Sequence, residues 1–177
     1  MITLIITGAP SAAFVPGVLA TLGDEPADNA LNIIVTSPAE AFVTPAALRV
    51  FSSGSVTGDR FGERDHQEVA RQSHQVLVYP ATFDFVNKLA AGITDSLSLM
   101  VAQLTLERLR LYVSLPDGLA GNLIYRSSRS VLIDAGAVFV EGESGLALSS
   151  RQTSPGGCPS PDKLWNDLKS LSARGES

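Results

Sequence analysis

Five segments carry side chains that can bind or react, and all five stand at or just beyond an apolar run. His66, in Gly62-Glu63-Arg64-Asp65-His66, falls where a helix should begin. A histidine there suits a general base or a hydrogen-bond donor near neutral pH; the plainer reading is a solvated surface residue. Asp65 either orients it or caps the helix. Thr7-Gly8-Ala9-Pro10-Ser11-Ala12 closes the first apolar run and opens a helix. In a doubly wound sheet such a corner turns backbone N–H groups toward the carboxyl edge, where anions bind; otherwise it is a turn with a serine cap. It has the spacing of neither a dinucleotide fingerprint nor a Walker A loop. Thr36-Ser37-Pro38 closes the second run in the same way, as a ligand edge or as an N-cap ahead of a first-turn proline. Phe42-Val43-Thr44-Pro45 lies a few residues on. In Pro80-Ala81-Thr82-Phe83-Asp84-Phe85, small Ala81 and Thr82 let a flat ligand approach the backbone. Asp84 then accepts from a ring N–H or caps the next helix.

The elements that must position these residues follow from the apolar pattern. Ile2–Ile6, Leu31–Val35, Val76–Tyr79, Leu111–Leu115 and Ala137–Val140 are short apolar runs without alternation, the signature of strands buried on both faces. Between them, helices are expected over Ser11–Leu22, Pro38–Phe51, Asp65–Ser73, Asp84–Ala91, Ile93–Leu109 and Asn122–Ala135. In the longest of these Ile93, Leu97, Val101 and Leu104 share one face. The alternation predicts a three-layer α/β fold with a parallel sheet. Residues 143–161, rich in Ser, Gly and Pro towards their end, read as a flap. A last helix is expected over Pro161–Leu171, with a frayed tail beyond it.

Composition narrows the function. The 177 residues fit one domain, spanning 1–177. Thirteen Lys+Arg against 18 Asp+Glu give a net charge of −5, which argues against a nucleic-acid partner. One cysteine, Cys158, excludes an internal disulfide and a multi-cysteine metal site, and two histidines make a histidine-rich one unlikely. No apolar run approaches the roughly 18 residues that span a bilayer. The apolar start lacks the basic flank of a signal peptide, so a soluble cytoplasmic protein is expected.

The order of the segments resembles the homo-oligomeric flavin-containing cysteine decarboxylases, which include phosphopantothenoylcysteine decarboxylase and the peptidyl-cysteine decarboxylases of ribosomal peptide biosynthesis. The stretch from His66 to Asp84 is similar to the family's active-site histidine helix running ungapped into its PASANT motif. Phe42-Val43-Thr44-Pro45 matches its second-helix motif, and Lys88–Leu97 follows its pattern. The resemblance covers residues 1–142. It implies a Rossmann-like flavoprotein binding FMN, with FAD as the alternative, in a homotrimer or a homododecamer. Gly8, Ser11, Thr36, Ser37, Phe42, Thr44, Pro80, Ala81, Thr82 and Asp84 would touch the flavin, and His66 would be the catalytic histidine.

Two stretches depart from the family's pattern. Where the family has PxMNxxMW, with an Asn that binds the substrate carboxylate, this chain runs from Pro116 to Asn122 and Tyr125 with two extra residues. Asn122 either replaces that Asn or caps a helix. The flap cysteine of phosphopantothenoylcysteine decarboxylases has no counterpart in Ser144–Ser149; Cys158 lies further on. A missing reductive thiol suits a product left as an ene-thiol. The resemblance therefore implies oxidative decarboxylation of the C-terminal Cys of a precursor peptide. The alternatives are phosphopantothenoylcysteine decarboxylation in coenzyme A synthesis and a catalytically inactive flavin-binding regulatory protein.

Overall fold

In the computed structural model β1 (Ile2–Ile6) and β2 (Leu31–Val35) are buried at every position, as strands covered on both faces must be. The structure describes residues 1–22, 31–142, 145–147, 152–154 and 156–174. β3 (Ser55–Gly58), β4 (Gln75–Thr82), β5 (Leu109–Ser114) and β6 (Val138–Val140) complete a parallel sheet of order β3-β2-β1-β4-β5-β6. The helices are α1 (Val15–Leu22), α2 (Pro45–Phe51), α3 (His66–Gln72), α4 (Phe83–Ala90), α5 (Leu97–Gln103), α6 (Leu123–Asp134) and α7 (Pro161–Arg174). Successive strand residues face opposite ways. Leu4, Ile6, Ile33, Tyr79 and Tyr112 pack in one core with α1 and α7, while Ile5, Ile34 and Val78 pack in a second with α3, α4, α5 and α6. This is the expected three-layer, Rossmann-like α/β fold.

The chain runs from β1 outward to β3, then returns to the centre and runs from β4 out to β6. Strand order therefore reverses between β1 and β4, and the crevice beyond their carboxyl ends is where such sheets bind ligands. A register shift between Val78 and Ala81 bends the end of β4 at that crevice.

Some boundaries differ from expectation. β3 carries no apolar run; only Val56 is buried, as suits a short edge strand. The helix expected over Pro38–Phe51 breaks into a 3₁₀ turn (Ser37–Ala41) and α2, because Thr44 caps the latter through Ala47 N (3.1 Å). The N-terminal part of the helix expected over Ser11–Leu22 is likewise a 3₁₀ turn, Pro10–Phe14. The helix expected over Ile93–Leu109 shortens to α5, which Ser96 caps through Leu99 N. Ile93 and Leu104 fall outside it, 41 % and 48 % exposed, so their helical spacing does not mark a buried face. α7 runs past Leu171 to Arg174. Inside the stretch read as a flap, β7 (Gly145–Ala147) and β8 (Gln152–Ser154) form an antiparallel hairpin. Residues 143–144, 148–151 and 155 of that flap, and 175–177 of the tail, lie outside the described residues. Among the described residues, no helix is long and apolar enough to cross a membrane.

Candidate flavin site

Three strand-to-helix corners meet at the reversal point. The corner after β1 touches the corner after β2: a Cβ on Gly8 would fall 2.5 Å from Pro38 Cβ and 2.9 Å from its carbonyl carbon, so only glycine allows this approach. Thr36 N donates to Ile6 O at 3.0 Å, which extends the strand pairing into the corner. On the other side, Thr7 Oγ1 donates to Pro80 O at 2.5 Å and lies 3.4 Å from Thr82 Oγ1. Gly8, Ser11, Thr36, Ser37, Pro80, Ala81 and Thr82 are thus gathered at one edge. Thr7, which opens the first corner motif but is not among the residues the resemblance puts on the flavin, belongs with them; its signal is a hydroxyl at the last position before the turn.

The capping alternatives are settled by the hydrogen bonds. The 3₁₀ turn Pro10–Phe14 is preceded by Ala9, with no side-chain cap, so Ser11 is not a cap. Thr36 precedes the second 3₁₀ turn and caps nothing either. Its Oγ1 is buried and has no partner among the described residues, while the residue is 6 % exposed. A buried hydroxyl left unpaired is costly, and a bound polar group would satisfy it. Thr82 caps α4 through Phe85 N (3.4 Å), which leaves Asp84 out of that role. Asp84 is exposed and lies 3.5 Å from Lys88 Nζ, which also reaches Asp95 at 3.6 Å. Phe42 is 39 % exposed, and Thr44 is occupied in capping α2.

These residues fit a flavin. Ala81 and Thr82 end β4 with small side chains at the reversal point, and the Thr36 hydroxyl, without a partner among the described residues, offers a neutral donor to a polar group.

Cys158 lies under the same edge. Its thiol shares hydrogen bonds with Ser11, Tyr79 and Ser114, yet burial outweighs these and pushes its pKa up to about 11. Tyr79 Oη donates to Pro159 O (3.1 Å), and Leu115 N donates to Gly156 O (2.9 Å). The segment after the hairpin is therefore stitched across β4 and β5, with Cys158 a neutral thiol held in place.

Asn122 caps α6: Oδ1 accepts from Ile124 N (2.9 Å) and Tyr125 N (3.3 Å). Its Nδ2 donors take no part in the cap. Phe83, next to the Thr82 corner, stacks on Tyr125 with centroids 6.4 Å apart, which sets the first turns of α4 and α6 side by side. Burial pushes the Tyr125 pKa up to about 12. Pro116 is exposed, and its carbonyl accepts from Leu119 N in the turn before α6.

His66 opens α3, and Asp65 caps that helix through Gln67 N (2.8 Å) and Glu68 N (3.3 Å). Those bonds hold the Asp65 carboxyl below its ordinary pKa. The His66 ring is partly exposed and meets Phe61 edge-on, with centroids 6.1 Å apart. No hydrogen bond among the described residues joins it to the three corners.

Known proteins share this architecture. A family model described as Flavoprotein matches residues 1–165. The chain is 30 % identical over 164 residues to cypemycin cysteine dehydrogenase (decarboxylating) of a Streptomyces species, covering 90 % of this chain and 85 % of that one. The structure of EpiD complexed with the substrate peptide DSYTC superposes with a TM-score of 0.75 at 16 % identity, over 94 % of this chain and 97 % of that one. The FMN-dependent cysteine decarboxylase TvaF of thioviridamide biosynthesis gives 0.71 at 23 %, over 98 % and 97 %. The gathered corners, the reversal point and a match along nearly the whole length lead to one conclusion: the chain belongs to the Flavoprotein family.

Proposed function

We propose that the protein is an FMN-dependent peptidyl-cysteine decarboxylase, which oxidises and decarboxylates the C-terminal Cys of a precursor peptide to an aminoenethiol. The observation that carries this is the 164-residue match to the cypemycin enzyme, which spans 90 % of this chain. Gly8, Ser11, Thr36, Ser37, Pro80, Ala81 and Thr82 hold the cofactor, with Phe42, Thr44 and Asp84 at the rim. Bound there, FMN supplies a two-electron acceptor. The protein's own work is orientation and proton movement. The Nδ2 of Asn122, which takes no part in the cap, binds the substrate carboxylate, beside Pro116, and His66 is the base for a substrate proton.

The EpiD complex with a peptide ending in Cys supports a substrate of that kind. The state of Cys158 supports an ene-thiol product. It is the chain's one cysteine, and burial pushes its pKa up to about 11, which keeps it a thiol and not the thiolate that reduction needs. Residues 1–177 act as one domain, with the flap over the peptide end at 143–161 anchored on β4 and β5 through Gly156 and Pro159. A homotrimer or homododecamer fits as well. Phe14, Phe42, Phe51 and Phe61 are each 39–49 % exposed in the half of the chain that carries β1 to β3, which is surface for a second copy. A cytoplasmic location agrees with a lone cysteine.

The test is His66→Asn. The variant should bind FMN as the parent does, seen as an unchanged visible spectrum, and lose turnover. Full activity in the variant would remove His66 from the chemistry.

A further inference from the structure

The loop that delivers His66, residues 59–65, is fastened to three neighbouring elements. At its start Asp59 accepts from Ser98 N (2.6 Å) and Ser98 Oγ (2.9 Å), which ties it to the first turn of α5. Gly62, with φ +93°, adopts a left-handed turn that suits glycine, and Phe61 just before it lies against the His66 ring. Glu63 Oε2 accepts from Gly58 N at 2.6 Å, the last residue of β3. Arg64 Nη1 donates to Asn32 Oδ1 (2.6 Å) and Ser55 Oγ (3.1 Å), on adjacent strands β2 and β3. Asp65 then caps α3.

Asn32 makes the arrangement informative. It stands at 3 % exposure in a strand whose other residues are all apolar. A buried amide oxygen needs a donor, and Arg64 is the donor it has. A run of charges such as Glu63-Arg64-Asp65 would ordinarily be a solvated face; here each side chain has a structural partner.

We propose that Arg64 is a positioning residue for the reaction: through Asn32 and Ser55 it fixes the start of α3, and with it the reach of His66. This rests on the reading of His66 as the catalytic histidine. Side chains that place a reacting group are tested by kcat at constant binding, because small displacements cost rate before they cost affinity.

The experiment compares Arg64→Ala, Arg64→Lys, Ser55→Ala and His66→Asn in the FMN-loaded protein, with a peptide ending in Cys. Arg64→Ala should lower kcat about tenfold to a hundredfold while FMN affinity and KM stay within about twofold. Both bonds come from one nitrogen, so Arg64→Lys should recover most of the rate. The chain has two histidines, so the His66 imidazole NMR signals are found by subtraction with His66→Asn, and Arg64→Ala should broaden or shift them. Should Arg64→Ala fail to fold, Ser55→Ala, which removes one of the two Arg64 contacts at an exposed position, should lower kcat at unchanged KM. A parental kcat and parental His66 signals in Arg64→Ala, or in Ser55→Ala if that is the variant that folds, would overturn the proposal. An active His66→Asn would instead overturn the reading on which it rests.

Discussion

In the proposed function Asn122 serves structure and recognition with different atoms. Its carbonyl oxygen caps α6, and its amide nitrogen, which takes no part in the cap, is the proposed carboxylate donor. The two roles separate by mutation. Asn122→Ala should cost about 1 kcal/mol of stability from the lost cap and also raise KM for the peptide. Asn122→Asp keeps an acceptor for the cap but sets a negative charge against the substrate's; its thermal midpoint should stay near the parent's while KM rises about tenfold or more. Equal KM in the parent and Asn122→Asp would leave Asn122 as a cap alone. At this scale the sequence was a good guide to residue type. Gly8, Ser11, Thr36 and Thr82 stand out because small and hydroxyl residues end apolar runs. What could not be read was which hydroxyl is spent. Thr82 and Thr44 cap helices whereas Thr36 does not, and that depends on backbone angles the residue type leaves open.

Among the elements, the link from the end of β3 to α5 through Asp59 has a pH signature. Burial raises the Asp59 carboxyl above its ordinary pKa, against the bonds from Ser98 that lower it; the nearby Asp95 adds to the rise. The folded state therefore holds that proton more tightly than the unfolded chain does. Stability from this group is fully present below the unfolded value of 3.8 and is lost as pH rises through the folded one. Asp59→Asn removes the titration and can keep both contacts with Ser98. Measured by thermal unfolding, its midpoint should gain on the parent's as pH rises from about 4 to about 7. A constant difference across that range would mean that the carboxyl carries no such penalty. Elements with long apolar runs were legible, and β1 and β2 fall where the pattern puts them. β3 was not, because an edge strand with one buried residue has nothing to distinguish it from a loop. Ile93–Leu109 misled because helical spacing in a sequence does not count the caps that start a helix late, and Ser96 is such a cap.

For the whole molecule, the reversal of strand order between β1 and β4 gathers residues far apart in sequence, and Thr7 to Pro80 is the bond that closes the corner. That approach is a product of topology, so no local pattern announces it. The half of the chain with β1 to β3 also leaves Phe14, Phe42, Phe51 and Phe61 partly exposed, the surface proposed for a second copy. The central claim is the reaction itself. The direct measurement is mass spectrometry of the FMN-loaded protein incubated separately with a peptide ending in Cys and with phosphopantothenoylcysteine. The expected result is loss of carbon dioxide and two hydrogens from the peptide, with the small substrate unchanged. An unchanged peptide, with carbon dioxide alone lost from phosphopantothenoylcysteine, would contradict it.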